Sequence, residues 1–191
     1  MSKLLIILGS TRPGRIGLPV AQWFTDLAVA DGRFEVQLVD LAALALPLLD
    51  EPDHPALRKY TTPHAHAWSG IVDAADVIVL VTAEYNWGYP APLKNALDYL
   101  CHEWSSKPVG FVSYGGLAAG TRAVQQLRQV TSALRMVTAV NAVHIPVVFG
   151  RLDADSRLVS DSDMRDAATA MLAELETLDR TLAPTRERVP A

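Results

Sequence analysis

Two short stretches of this chain carry unbroken apolar runs: Lys3–Leu8, with Leu4-Leu5-Ile6-Ile7-Leu8 stopping at Gly9-Ser10, and Asp76–Thr82, with Val77-Ile78-Val79-Leu80-Val81. Runs of that length without polar alternation mark strands covered on both faces, the situation of a parallel sheet. Each is followed at a distance by residues with helical spacing. Ile16, Val20, Phe24, Leu27 and Ala28 share one face of a segment from Ile16 to Ala30. Such a chain has to build a layered α/β domain, because a strand buried on both faces needs helices above and below it.

The rest of the chain repeats the scheme. Phe34–Asp40 alternates and reads as a strand nearer the sheet edge. Leu41–Pro63 contains four prolines and reads as a surface excursion without a helix. His66–Ala75 is expected as a helix, Glu84–Pro92 as a loop and Leu93–His102 as a helix. Lys107–Tyr114 is a strand ending at Gly115-Gly116, Ala118–Met136 a helix, Val137–Ile145 a fifth strand, and Met164–Leu182 the last helix. Five strands with helices on both faces and right-handed crossovers leave few topologies. The order 2-1-3-4-5 gathers the loops after strands 1, 3 and 4 at one carboxyl edge, beside the switch point where ligands bind. One domain over residues 1–183, with a loose tail from Pro184 to Ala191, is the expected organisation.

Charge and cysteine content exclude several partners. A net charge of −4, scattered along the chain, offers no basic stripe for a nucleic-acid backbone. No apolar run approaches the length of a membrane span. Cys101 is the only cysteine, so neither a disulfide framework nor a Cys-based metal set is available. A reducing cytoplasm is the expected compartment.

Three loops carry the chemistry. Gly9-Ser10-Thr11-Arg12-Pro13-Gly14-Arg15-Ile16-Gly17 joins the first strand to the first helix, where free N–H groups attract anions. Ser10 and Thr11 add hydroxyls, and Arg12 adds a fork suited to phosphate. Its glycines do not follow the GxGxxG dinucleotide pattern. Gly9 and Gly14 have the P-loop spacing, but Arg15-Ile16 stands where Lys and Ser/Thr are required. Read alone, the loop is either a mononucleotide cradle or an ordinary βα turn. The second loop, Thr82 to Pro92, places Tyr85, Trp87 and Tyr89 within five residues and offers flat faces for a planar ring or for packing against a partner. The third, Ser113 to Thr121, begins Ser113-Tyr114-Gly115-Gly116; paired glycines allow close backbone approach to a ligand or a plain turn.

Other clusters read as structural. His64 and His66 lie two apart at a helix start and face different ways. Asp50, Glu51 and Asp53 belong to the proline-rich excursion and read as a solvated loop. No Gly-x-Ser-x-Gly elbow surrounds Ser69 or Ser113.

With these motifs the sequence resembles the NAD(P)H-dependent FMN reductase family of flavodoxin-like proteins. The likeness rests on Gly9-Ser10-Thr11-Arg12, on Glu84-Tyr85-Asn86 with Pro90 through Lys94-Asn95-Ala96-Leu97-Asp98, and on Ser113-Tyr114-Gly115-Gly116. It implies non-covalent FMN, NADPH or NADH as co-substrate, and a small-molecule electron acceptor among quinones, azo compounds, free flavins and metal oxyanions. By resemblance, Ser10, Thr11, Arg12, Ile16 and Gly17 hold the phosphate. Glu84, Tyr85, Asn86 and Trp87 lie along the isoalloxazine, and Ser113, Gly115 and Gly116 approach its pyrimidine end. The chemistry belongs to the flavin N5, and no side chain is assigned a catalytic role. Many members have proline at the position of Ala83 and a hydroxyl residue at or near Gly17, so the contact implied at Gly17 is a backbone N–H. The resemblance also implies a homodimer, with a tetramer as the alternative, built on Tyr85, Trp87, Tyr89, Leu93, Leu97, Leu100 and Trp104.

Two competing classes stay open from the residues: a flavodoxin-type carrier of single electrons and a flavin-free binding module. Carriers of that type have Ser/Thr-rich phosphate loops and strongly acidic docking surfaces. Arg12, Arg15 and a charge of only −4 depart from both.

Overall fold

A computed structural model describes residues Met1–Arg186. Strands β1 (Ser2–Leu8), β3 (Val77–Ala83) and β4 (Pro108–Tyr114) form the centre of a parallel sheet, and β2 (Phe34–Asp40) lies at its edge. With β5 at Val137–Thr138, the order is β2-β1-β3-β4-β5, as expected from the alternation of elements. All of β3 and β4 is buried, whereas β2 alternates, which fits an edge strand with one wet face.

The fifth strand is not continuous. β5 (Val137–Thr138) and β6 (Val143–Ile145) both pair parallel with β4, at opposite ends of it. Between them the chain leaves the sheet, because Glu174 takes the N–H groups of Val140 and Asn141 at 2.8 Å each. A distant carboxylate thus replaces ladder partners over the gap.

Side-chain alternation sorts the core into two layers. Leu4, Ile6, Leu8, Val77, Val79 and Val81 face helices α1 (Gly17–Asp31) and α6 (Ser162–Leu182). Leu5, Ile7, Ile78 and Leu80 face the helices of the other side. Those are α3 (Pro63–Ala74), α4 (Ala91–Asp98) and α5 (Thr121–Ala133); the short α2 (Leu41–Leu44) precedes them in the chain. Gly32, left-handed at φ 77°, ends α1 and donates its N–H to Ala28.

The proline-rich excursion is more ordered than its composition suggests. It opens with α2, capped by Asp40, and includes a 3₁₀ turn at Pro55–Leu57. α3 starts at Pro63, earlier than expected, because Thr62 caps it and Pro63 needs no N–H partner in a first turn. Glu51 stitches the excursion to that start. Its carboxylate accepts from the N–H groups and hydroxyls of both Thr61 and Thr62 at 2.6–2.9 Å. Partial burial pushes the Glu51 carboxyl up, and these hydrogen bonds outweigh it, holding the pKa at about 2. Asp50 is likewise engaged, by His64 at 2.9 Å and Tyr99 at 3.0 Å. A carboxylate with a depressed folded pKa stabilises the fold above its unfolded pKa and loses that contribution as pH falls through the folded value. The Tm advantage of wild type over Glu51→Gln is therefore expected to shrink as pH drops from about 5 toward 2. An advantage that stays constant across that interval would show that these bonds do not set the pKa.

Two tryptophans hold the C-terminal end of α4. Last-turn carbonyls have no partner inside a helix. Trp68 Nε1 donates to Ala96 at 2.8 Å, and Trp104 Nε1 donates to Leu97 at 3.1 Å. The two rings meet edge to face, 6.0 Å between centroids. At the carboxyl terminus, Pro184 and Thr185 continue in a 3₁₀ turn, and Arg186 pairs with Asp76 and Asp179. The tail expected from Pro184 lies outside the described residues from position 187 onward. Among the described residues no helix is long and apolar enough to cross a membrane.

Candidate mononucleotide site

The β1–α1 turn delivers the first group of ligands to the carboxyl edge. Gly9 follows β1 with its N–H on Val81 at 2.9 Å, and a Cβ there would stand 2.9 Å from Leu93 of α4. Only glycine lets the turn pass so close to that helix. Gly14 takes φ +67° and reverses the chain. Ile16 then enters α1 without any side-chain cap. The N–H groups of Ile16, Gly17 and Leu18 bond no described residue, and Pro19 contributes none. A helix start with unpaired donors and no acidic residue in its first turn is an anion site in waiting.

Side chains around this turn divide into two sets. Ser10 is fully buried, and its Oγ lies 2.6 Å from the Tyr85 hydroxyl. Arg12 is exposed beside the cleft, and its guanidinium bonds no described residue. Arg15 turns away to pair with Asp40 at the end of β2. Thr11 faces a different groove, shared with Leu46, Ala91 and Asn95. Arg12 thus lines the cleft, Ser10 lies buried behind it against Tyr85, and Thr11 faces away.

The β3–α4 loop supplies one wall of the cleft. Ala83, Glu84 and Tyr85 line it. Tyr85 and Gly88 exchange backbone hydrogen bonds at 2.8 and 2.9 Å around Asn86 and Trp87, which take φ 49° and 70°. Asparagine tolerates the left-handed region; a tryptophan there is uncommon and marks a turn fixed by its surroundings. The Arg122 guanidinium lies 4.9 Å above the Trp87 ring, and Gln126 donates to the Trp87 carbonyl. Asn86 and Trp87 are not among the cleft-lining residues. Glu84 is also committed: its carboxylate binds Arg122 Nε at 2.6 Å and the Arg122 N–H at 3.2 Å, tying this loop to α5.

The β4–α5 loop closes the other side with Gly115 and Gly116. Ser113 holds the loop from beneath. Its buried Oγ donates to Ala119 at 2.7 Å and lies 2.7 Å from His144 Nδ1, so its side chain is not offered to the cleft. Burial and then Arg128 push the His144 pKa down, which keeps that imidazole neutral.

Tyr114, Val148 and Phe149 also line the cleft and were not anticipated. Tyr114 reads as a strand residue, yet its ring leaves β4 toward the β1–α1 turn. Val148 and Phe149 arrive on the 3₁₀ turn after β6, whose carboxyl end meets Gly115 and Gly116 through N–H groups of Val147 and Val148 at 3.0 and 3.1 Å. The expected fifth strand ends at Ile145, as β6 does, and the loop after a parallel strand emerges at this same edge.

A larger cavity of about 990 Å³ opens between α1 and residues Leu152–Arg165. It shares Gly14, Arg15 and Ile16 with the phosphate turn and extends along α1 to Leu27. Arg12 lines the small cleft, Ile16 lines both it and the groove, and Leu18 lines the groove, so the helix start borders the two.

A doubly wound parallel sheet with unpaired donors at its switch point defines a mononucleotide-binding α/β protein. The chain belongs to the NADPH-dependent FMN reductase family, whose family model matches residues 2–149. The NAD(P)H-dependent FMN reductase LOT6 of Saccharomyces cerevisiae is 43% identical over 157 residues, covering 76% of this chain and 82% of its own. An NADPH azoreductase from a Bacillus species is 31% identical over 178 residues, covering 91% and 88%. Among solved structures, the NAD(P)H:(acceptor) oxidoreductase FerB of Paracoccus denitrificans superposes with a TM-score of 0.76 at 18% identity, covering 95% of this chain and 99% of FerB. That last likeness is one of fold, and the fold is flavodoxin-like. The protein is an NAD(P)H-dependent FMN oxidoreductase with small-molecule acceptors, so neither the electron carrier nor the flavin-free module describes it.

Proposed function

We propose that this cleft is the FMN site. The carrying observation is the set of unpaired N–H groups at Ile16, Gly17 and Leu18 beside the unpaired Arg12. These groups, with Ser10, would hold the phosphate by charge-assisted hydrogen bonds. The Gly116 N–H and the backbone of Glu84 would meet the ring edges, with Tyr85, Gly115, Ile16, Val148 and Phe149 as walls that exclude water. Asn86, Trp87 and Ser113 then serve the site at one remove: Trp87 and Ser113 fix the loops, and Asn86 completes the turn, while Thr11 faces another groove.

Bound FMN supplies the redox chemistry, taking a hydride from NADPH or NADH and passing two electrons to an acceptor. The chain binds and orients. Glu84 is neutralised by Arg122, and burial pushes the Tyr114 hydroxyl up, well above neutrality, so it stays protonated. We assign no side chain of the cleft a catalytic role. Flat aromatic oxidants, quinones and azo compounds, fit a cleft with an apolar wall, and the azo substrate in the Bacillus relative's name supports that class.

Purified protein should be yellow and should release FMN, not a covalent flavin, on heat denaturation. A colourless preparation that FMN cannot reconstitute would overturn the assignment.

A homodimer is part of the same proposal, on a changed basis. Leu93, Leu97, Leu100 and Trp104 are at most 1% exposed and belong to the chain's own core, so they cannot form an interface. Trp87 at 66%, Leu48 at 83% and Leu49 at 40% exposure remain. Leu48 and Leu49 lie beside α4, where Asn95 binds the Pro47 carbonyl and the Leu49 N–H. Sedimentation at micromolar concentration should show a species larger than the monomer. A cytoplasmic location fits the single, partly buried Cys101.

A further inference from the structure

Tyr114 ends β4 with its ring buried; only 4% of the residue is exposed. Its hydroxyl bonds nothing among the described residues, although buried polar groups almost always find partners. Ser10 lies near enough to act on the phenol without a hydrogen bond of standard geometry to it, and its hydroxyl engages Tyr85 at 2.6 Å. Arg12 and Arg15 are close enough to act on the phenol electrostatically, so the group sits within the positive field of the β1–α1 turn.

Gly17 shows where that hydroxyl reaches. A Cβ on Gly17 would stand 2.3 Å from Tyr114 Oη and 2.8 Å from Leu8 Cδ1. Gly17 is not at positive φ, so glycine is not required by its backbone. It is required by space. The phenol occupies the volume where a side chain at the first residue of α1 would lie, next to the unpaired N–H groups of Ile16, Gly17 and Leu18.

We propose that Tyr114 is a phosphate ligand. Its hydroxyl passes over Gly17 and donates to the FMN phosphate, the function that a hydroxyl side chain at position 17 would otherwise serve. The assignment rests on reading the cleft as an FMN site. A neutral donor that remains protonated suits a phosphate dianion, and its burial makes the bond worth more than one at the surface.

The test compares FMN with riboflavin, which has the same ring and no phosphate, by flavin-fluorescence titration of apoprotein. Tyr114→Phe should weaken FMN about 10-fold and leave riboflavin unchanged. Gly17→Ser alone should weaken FMN, because its Cβ meets Tyr114 Oη. Adding Gly17→Ser to Tyr114→Phe should recover part of the lost FMN affinity, a coupling that two independent sites would not show. Unchanged FMN affinity in Tyr114→Phe, or equal losses for FMN and riboflavin, would overturn the role of Tyr114 while leaving the FMN site intact. Wild-type protein that binds both flavins equally would instead remove the phosphate reading itself.

Discussion

Replacing Arg12 by alanine should weaken FMN about 10- to 30-fold and leave riboflavin affinity where it was. Arg12 is exposed and carries no ion pair to any described residue, so its truncation leaves no buried partner stranded. A hydrogen bond to a charged group contributes about 1.5–3 kcal/mol, and exposure at the cleft mouth puts this one near the lower end. Arg12→Lys should restore part of the loss, since lysine keeps the charge but not the fork. Raising salt should erode the wild-type preference for FMN and affect Arg12→Ala less. Arg15→Ala should behave differently, because that guanidinium is committed to Asp40. If Arg12→Ala binds FMN like wild type, the guanidinium does not contact the phosphate.

Trp68→Ala carries the largest expected cost in stability, about 3–5 kcal/mol for emptying a fully buried site. The indole also donates to Ala96, so truncation strands a helix-end carbonyl that no solvent reaches. In a protein of this size that amounts to a fall in Tm of about 6–20 °C, measurable by thermal unfolding of the apoprotein. Trp68→Phe should cost much less in volume but still lose the hydrogen bond. The damage lies at the end of α4 opposite the cleft, so FMN affinity should decline less than stability. A Tm change under about 2 °C for Trp68→Ala would mean that the two tryptophans do not hold this helix.

The central fold was legible because β1, β3 and β4 are covered on both faces, and solid apolar runs have few other uses. The β1–α1 turn was legible from composition and position. Long-range captures were not. Glu174 breaks the fifth strand by taking two N–H groups 34 and 33 residues away, and no local pattern signals that. Glu84 and Ser113 have the chemistry of ligands, yet Arg122 and His144 engage their side chains from elsewhere in the chain. The apolar stripe on α4 was real, but periodicity cannot say whether a stripe faces the chain's own core or a partner, and Leu93 and Leu97 face the core. Tyr114 escaped notice because a tyrosine closing a strand looks like packing until the absent side chain at Gly17 shows where its hydroxyl goes.

The most direct measurement is the visible absorption of purified holoprotein under anaerobic conditions. NADPH or NADH should bleach the flavin bands, and a quinone added afterwards should restore them. Flavin bands that neither nucleotide changes would contradict a hydride-accepting FMN in this cleft.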